Sequence, residues 1–410
     1  MIHKFTVKNF YSIKDEVVID LASRSKSVPH NALYLDGPFG EKVTKIAFIG
    51  GSNGSGKTNI LRALGYFAEL IAPKTANSPL TWKHFPFTGE TSRPSKISVD
   101  FSVEKYLYKY SIVFSQSMIM EEELKVESLV STRKTIKKIF SRIWSEGSQE
   151  YKIELSDRVK ALRNIEKIGK ALSIGAARKR TIVDIYVDLD SVDGDLRRVK
   201  RFWENFYTNI TAFGSIDSET ATTMLADGAM KNITDGTRGD TICKELLKKI
   251  DIGFSGIEHY KRDGDGNKDL YALKHAFGNN NFVLFSILES TGTNRILYLI
   301  EKISDMLSRE EGGVLVLDDF DAYVHPEIYD ILLEYLMSPT KNKNGTQFIF
   351  SSHNYTTLNL LDKQQIILAE RDEFGATTSW RLDDIKGVDL RDNFYTKYLA
   401  GAYGAIPKGY

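Results

Sequence analysis

The chain has 410 residues, 42% of them apolar and 27% charged, which supports a large core in two or three domains and excludes a disordered tail, a mini-protein or a fibre. With 55 Lys+Arg against 54 Asp+Glu the net charge is +1, so any contact with nucleic acid or membrane has to be a local patch. The single cysteine, Cys243, excludes an internal disulfide and a cysteine-based metal site; with no apolar leader after Met1 and no run of about 18 uncharged apolar residues, a soluble cytoplasmic protein is expected.

Residues Ile2 to Leu21 alternate apolar and polar side chains around Asn9-Phe10-Tyr11-Ser12, which predicts two short strands joined by a turn. Lys45 to Ile49 is a compact apolar strand that runs into a glycine cluster. From Asn59 on, Ile60, Leu61, Leu64, Phe67 and Leu70 recur at helical spacing. Ile97–Val103 and Tyr106–Phe114 predict a hairpin, so the first lobe is mixed rather than purely parallel. From about Asp157 to Ile250 the pattern turns helical, with a polar break near Ala221 to Asp240, and reads as an inserted, mainly helical subdomain. Ile257 to Ala276 predicts another hairpin. Helix and strand then alternate: Asn294–Leu307, Val314–Leu317, Pro326–Met337, Gln347–Phe350 and Gln365–Ala369. This predicts an α/β chain in three segments: 1–125, an insertion at 126–250, and 251–410.

Gly51-Ser52-Asn53-Gly54-Ser55-Gly56-Lys57-Thr58 matches the phosphate-loop pattern G-x-x-x-x-G-K-[ST], with a strand before it and the helix from Asn59 after it. Small residues let successive backbone N–H groups turn onto phosphate oxygens. Lys57 neutralises the β and γ phosphates, Thr58 offers its hydroxyl to Mg²⁺, and the helix N-terminus adds its positive end. ATP and Mg²⁺ are the expected ligands. Val314-Leu315-Val316-Leu317 ends in Asp318 and Asp319, the form of a strand that presents carboxylates to a metal at the edge of a sheet. Ser290-Thr291-Gly292-Thr293 opens the helix before that strand, as an ordinary N-cap or as a second anion-binding helix start.

Taken together, Glu289-Ser290-Thr291-Gly292-Thr293-Asn294-Arg295, Leu317-Asp318-Asp319-Phe320-Asp321 with His325-Pro326, and Phe350-Ser351-Ser352-His353 resemble the signature, Walker B, D-loop and switch-histidine series of ABC-type ATPase heads. Among these the chain is most similar to the AAA-family ATP-binding proteins of bacterial abortive-infection and phage-defence operons, relatives of the SMC, RecF and overcoming-lysogeny-defect ATPases and of the PARIS, Septu and retron-linked heads. Lys8 to Lys14 and Tyr398 to Pro407 resemble the first strand and the C-terminal tail of that group. The resemblance covers about residues 1–125 and 250–410 and implies a P-loop NTPase of ABC/SMC-head type, with a mixed sheet lobe, a parallel-rich lobe and the helical insertion.

The resemblance further implies an ATP-sandwich dimer or higher homo-oligomer. In it Ser290 and Gly292 of one copy would cap the γ-phosphate held by the loop of the other, Asp318 would hold Mg²⁺ through water, Asp321 would link the two sites, and His353 would sense the γ-phosphate. Two positions depart from the family's pattern. Asp319 stands where Glu is usual and is shorter by one bond, about 1.5 Å; displacing a catalytic group that far costs roughly 100-fold, so slow hydrolysis is expected. Tyr11 stands where Arg or Lys is common, which leaves Lys8, Tyr11 and Lys14 as candidates for the adenine contact.

Asp263 to Asp269 begins like a Ca²⁺ loop but has Lys268 at the sixth position and Lys274 at the twelfth, and reads as a hairpin turn. Residues 131–201 hold 18 Lys+Arg against 10 Asp+Glu, an excess of 18 − 10 = +8, either a solvated face or a patch for nucleic acid or an acidic partner. The 57 residues after His353 contain no histidine and are too few for a TOPRIM domain, and His259 and His275 read as structural, so a nuclease or toxin is expected on a separate polypeptide. The expected role is sensor or scaffold of a defence system, with a phage protein as trigger; the alternatives are a RecF-like DNA-binding ATPase and a scaffold that binds ATP without hydrolysing it.

Overall fold

A computed structural model describes residues 1–24, 31–74, 93–130, 133–156, 172–187, 194–211, 214–215, 219–236, 240–250, 253–261, 270–277 and 280–407. Strands β1 (Ile2–Lys8) and β2 (Val17–Asp20) pair antiparallel, as the alternation predicts. A small hairpin, β3 (Tyr34–Asp36) and β4 (Lys42–Thr44), leads to β5 (Ile46–Gly50), and helix α1 (Lys57–Ile71) follows the glycine cluster. Strands β6 (Ser95–Val103), β7 (Tyr106–Phe114), β8 (Ile119–Val130), β9 (Arg133–Ser145) and β10 (Glu150–Leu155) form a meander. With β1 and β2 it makes a seven-stranded sheet in the order β10-β9-β8-β7-β6-β1-β2, antiparallel at every pairing. This sheet runs well past residue 125, so strand rather than helix fills the first part of segment 126–250.

Helices α2 (Ile182–Val187) and α3 (Gly194–Glu204) come next, then β11 (Phe206–Thr208), a short β12–β13 pair (Ile210–Thr211, Gly214–Ser215), and helices α4 (Glu219–Thr234) and α5 (Asp240–Ile250). The polar stretch around Ala221 is thus helical: Ala226, Ala229 and Met230 are buried, and Asn232 donates to Glu301 at 2.9 Å. The hairpin expected at 257–276 is present as β14 (Gly256–Tyr260) and β15 (Leu270–Phe277), joined by β16 (Asn280–Phe285). The Ca²⁺-like stretch 263–269 lies outside the described residues. Next come α6 (Thr291–Ser308), β17 (Val314–Leu317), α7 (Pro326–Met337), β18 (Gln347–Ser351), β19 (Ile366–Arg371), β20 (Thr377–Arg381) and α8 (Phe394–Leu399).

The second large sheet has the order β11-β17-β18-β5-β19-β20, parallel except for the β19–β20 edge. Its inner strands β5 and β17 are apolar throughout and β18 is apolar at its centre, and they send alternate residues to opposite faces, as a sheet covered on both sides requires. Ala47, Ile49, Val314 and Val316 join Ile60, Leu61, Leu64 and Phe67 of α1 and the inner face of the seven-stranded sheet in one core. Ile46, Phe48, Leu315, Leu317, Phe348 and Phe350 face the other way, onto α6, α7 and α8. Helix α1 is therefore sandwiched between the two sheets. The parallel strands β5, β17 and β18 end at the same edge of their sheet, so whatever follows each of them converges there.

Candidate nucleotide-binding site

Three strand ends build the site. After β5 the loop Gly51–Gly56 wraps into α1, whose N-cap Gly56 has φ of 104°, a region that side chains avoid; a Cβ there would also overlap the Thr377 hydroxyl. Lys57 is buried and turned back on the loop, its Nζ donating to the carbonyls of Gly51 at 2.9 Å and Ser52 at 3.2 Å. Burial lowers its pKa, and the charges of Asp319, Asp318 and Asp321 oppose that shift. The buried Ser55 Oγ has no hydrogen-bond partner among the described residues.

Asp318, buried at the end of β17, accepts from the Thr58 hydroxyl at 2.7 Å and from the Ser351 hydroxyl at 2.5 Å. Its backbone is held on both sides by buried Asn209, whose Oδ1 accepts the Asp318 N–H at 2.8 Å and whose Nδ2 donates to the Asp318 carbonyl at 2.9 Å. The pairing of a Thr hydroxyl with a carboxylate is the hard-oxygen donor set that suits Mg²⁺, which takes one or two protein ligands and keeps several waters. Thr58 and Asp318 therefore fit the metal expected of them.

Asp319 has φ of 45°; its N–H donates to Ser351 Oγ at 2.9 Å and its carbonyl accepts from buried Arg295 at 3.3 Å. Its Oδ1 lies 3.7 Å from His353 Nε2, and the His353 N–H donates to both Asp321 oxygens, at 3.0 and 3.2 Å. Burial, then the charge of Lys57, lowers the His353 pKa, while the charges of Asp321 and Asp318 oppose that shift. The structure thus brings Lys57, Thr58, Asp318, Asp319, Asp321 and His353 together. Asn59, expected with the loop among the nucleotide-binding residues, donates to Ser12 Oγ at 2.7 Å and accepts from Arg62 at 3.1 Å, and the Arg62 guanidinium stands 4.5 Å over the Tyr11 ring.

Ser290 and Gly292 stand apart from this cluster. Ser290 is the N-cap of α6 and accepts the Thr293 N–H at 3.0 Å; a Cβ on Gly292 would lie 3.0 Å from the Tyr323 carbonyl. Among the described residues no hydrogen bond joins either to the phosphate loop. The neighbouring Glu289 is tied to β15 through His275, Nε2 to Oε1 at 2.6 Å, while His259 stacks on Tyr271, so both histidines have packing roles. His325 caps α7 with Pro326 in its first turn. Among the described residues the basic side chains of 131–201 lie on separate elements and several are paired: Arg142 with Glu122 at 2.7 Å with no exposure, Arg180 with Asp184 at 2.6 Å, Lys138 with Glu154 at 2.8 Å, and Arg201 with Glu311.

Sequence reasoning missed four supports of this site. Asn209 and Arg295 hold the backbone of the two acids, Tyr355 OH both donates to the Gly51 carbonyl at 2.7 Å and accepts its N–H at 2.9 Å, and Thr377 donates to the Ser55 carbonyl at 2.9 Å. Asn209, Tyr355 and Thr377 act across long stretches of chain, where no spacing reveals them; Arg295 closes the Glu289–Arg295 run and Ser351 lies inside the Phe350-Ser351-Ser352-His353 run, but neither motif assigns them a supporting role.

A family model described as "AAA domain, putative AbiEii toxin, Type IV TA system" matches residues 46–359, from the first residue of β5 to beyond His353. No curated protein matches the chain. No helix among the described residues is long and apolar enough to cross a membrane.

Proposed function

The chain belongs to this AAA-domain family of abortive-infection and type IV toxin–antitoxin systems, and from that premise we propose that it is a slow ATPase working between two copies of itself. The observation that carries the reading is the Thr58–Asp318 hydrogen bond beside buried Lys57, which joins the phosphate loop to the acid of the neighbouring strand end. In this reading the loop amides and Lys57 hold the phosphates. Mg²⁺, held by Thr58 and Asp318, would supply charge neutralisation on the β and γ oxygens. Asp319 polarises the attacking water, His353 meets the γ-phosphate, and Ser290 and Gly292 come from the partner copy. Catalysis is then positioning plus electrostatics.

A slowly hydrolysing dimer spends most of its time closed around ATP, which suits a sensor or scaffold that controls a separate toxin or nuclease and answers to a phage protein. The family's description favours a second reading, in which this chain is itself the toxic component and its partner the antitoxin. A DNA-binding ATPase gains little support from a charge in 131–201 that, among the described residues, is spread over separate elements and partly ion-paired. The test is phosphate release over many turnovers with ATP and Mg²⁺. Wild type should release phosphate and Lys57→Ala should not; ATP binding without release would leave only the scaffold reading, and no binding would end the proposal.

A further inference from the structure

We infer that Arg371 is a second cation for the nucleotide's phosphates, supplied by the β19–β20 hairpin; the inference rests on the ATP-binding reading above. This hairpin forms a wall along the phosphate loop, and successive residues touch successive parts of it. The Ala369 carbonyl packs against Gly51, leaving no room for a Cβ there. Glu370 accepts the Ala405 N–H at 2.9 Å, and the Ala405 carbonyl in turn accepts the Ser52 N–H at 3.0 Å. Thr377, directly opposite Arg371 in the strand pairing, holds the Ser55 carbonyl and packs on Gly56.

Arg371 completes the series at the loop's tip: its guanidinium carbon and Nη2 stand 3.9 and 4.0 Å from where a Cβ on Gly54 would be. Ala369, Glu370 and Thr377 are engaged in holding the loop, directly or through Ala405. Arg371 pairs through its backbone in the hairpin, but its side chain is exposed, and among the described residues no hydrogen bond or ion pair occupies its guanidinium. A need for charge exists at this place. Lys57 is surrounded by Asp318, Asp319 and Asp321, which offset its charge, while an incoming triphosphate brings several more negative charges. A guanidinium presents a planar fork of donors that matches phosphate oxygens, and it stays charged at all relevant pH.

Titration of the full chain with ATP and Mg²⁺ tests this in wild type, Arg371→Ala and Arg371→Lys, beside the melting temperature of each without nucleotide. Arg371→Ala should weaken ATP binding roughly ten-fold, as expected for loss of a charge-assisted hydrogen bond. Its nucleotide-free melting temperature should stay at the wild-type value, and Arg371→Lys should recover part of the affinity. An Arg371→Ala affinity within about two-fold of wild type overturns the inference, as does a loss that Arg371→Lys does not relieve at all. ATP binding by wild type that is indifferent to Arg371 sinks this inference alone, whereas no ATP binding by wild type sinks the ATPase reading with it.

Discussion

At Asp319 the backbone explains something about the side chain. With φ of 45°, pinned by Ser351 Oγ on its N–H and Arg295 on its carbonyl, the residue is held in the left-handed region, which Asp visits more readily than longer side chains do. The carboxylate so placed lies 3.7 Å from His353 and one bond short of where a Glu would reach. Replacing it by Glu therefore sets two effects against each other: better reach to the water, and backbone strain of about 1 kcal/mol. We expect Asp319→Glu to raise the rate of phosphate release while lowering the melting temperature by a few degrees, and Asp319→Ala to abolish release while keeping ATP binding. Equal turnover in wild type and both variants would remove Asp319 from the mechanism.

Among the elements, those with one dominant periodicity were readable in advance and those without it were not. Strands β5 and β17 and helix α7 were foreseen to within a residue or two because their apolar positions are continuous or helically spaced. The first half of β9, Arg133 to Lys138, is exposed at nearly every position, so it lacks the alternation that a half-buried strand displays. Among its described residues helix α4 fully buries two alanines and a single large side chain, Met230, and so reads as a polar break. The phosphate loop was legible because its residues are contiguous; Thr377 and Arg371 come beside it, and Asn209 comes to Asp318, only through the fold. Strand β1 also carries a pH dependence that its sequence conceals. Burial drives the His3 imidazole from 6.5 down to about 3, so its 3.4 Å approach to Glu41 is not an ion pair at neutral pH, and Nε2 instead shares a hydrogen bond with Ser102 Oγ at 2.8 Å. The unfolded chain takes up this proton near pH 6.5 and the folded chain refuses it until about pH 3. Stability from His3 is thus complete above 6.5 and falls with pH below it, by up to ~1.4 kcal/mol per pH unit. Thermal melts at pH 7 and pH 5 should show a smaller drop for His3→Gln than for wild type; identical drops would mean that His3 is not the group responsible.

For the whole molecule the question is what meets the face that carries Ser290 and Gly292. Two large apolar side chains just ahead of Ser290, Ile287 at 78% and Leu288 at 66% exposure, are left uncovered in the single chain, and so is Tyr323 at 60%, whose carbonyl stands against Gly292. Apolar groups this large, beside a helix start that makes no hydrogen bond to the phosphate loop among the described residues, are what a contact between copies would bury. The contact would be symmetric, so each residue counts twice. Burying one leucine contributes about 2 kcal/mol, and the pair about 4 kcal/mol, so its replacement by a charge should weaken association by more than roughly 100-fold. With hydrolysis stopped by Asp319→Ala, light scattering in ATP and Mg²⁺ should report a doubled mass. Adding Leu288→Asp should return the protein to a single copy at the same concentration, with ATP still bound, because Leu288 is remote from the phosphate loop in sequence and exposed in the fold. A doubled mass that survives Leu288→Asp would move the interface elsewhere on the molecule, and a single copy under all conditions would leave Ser290 and Gly292 without a nucleotide to cap.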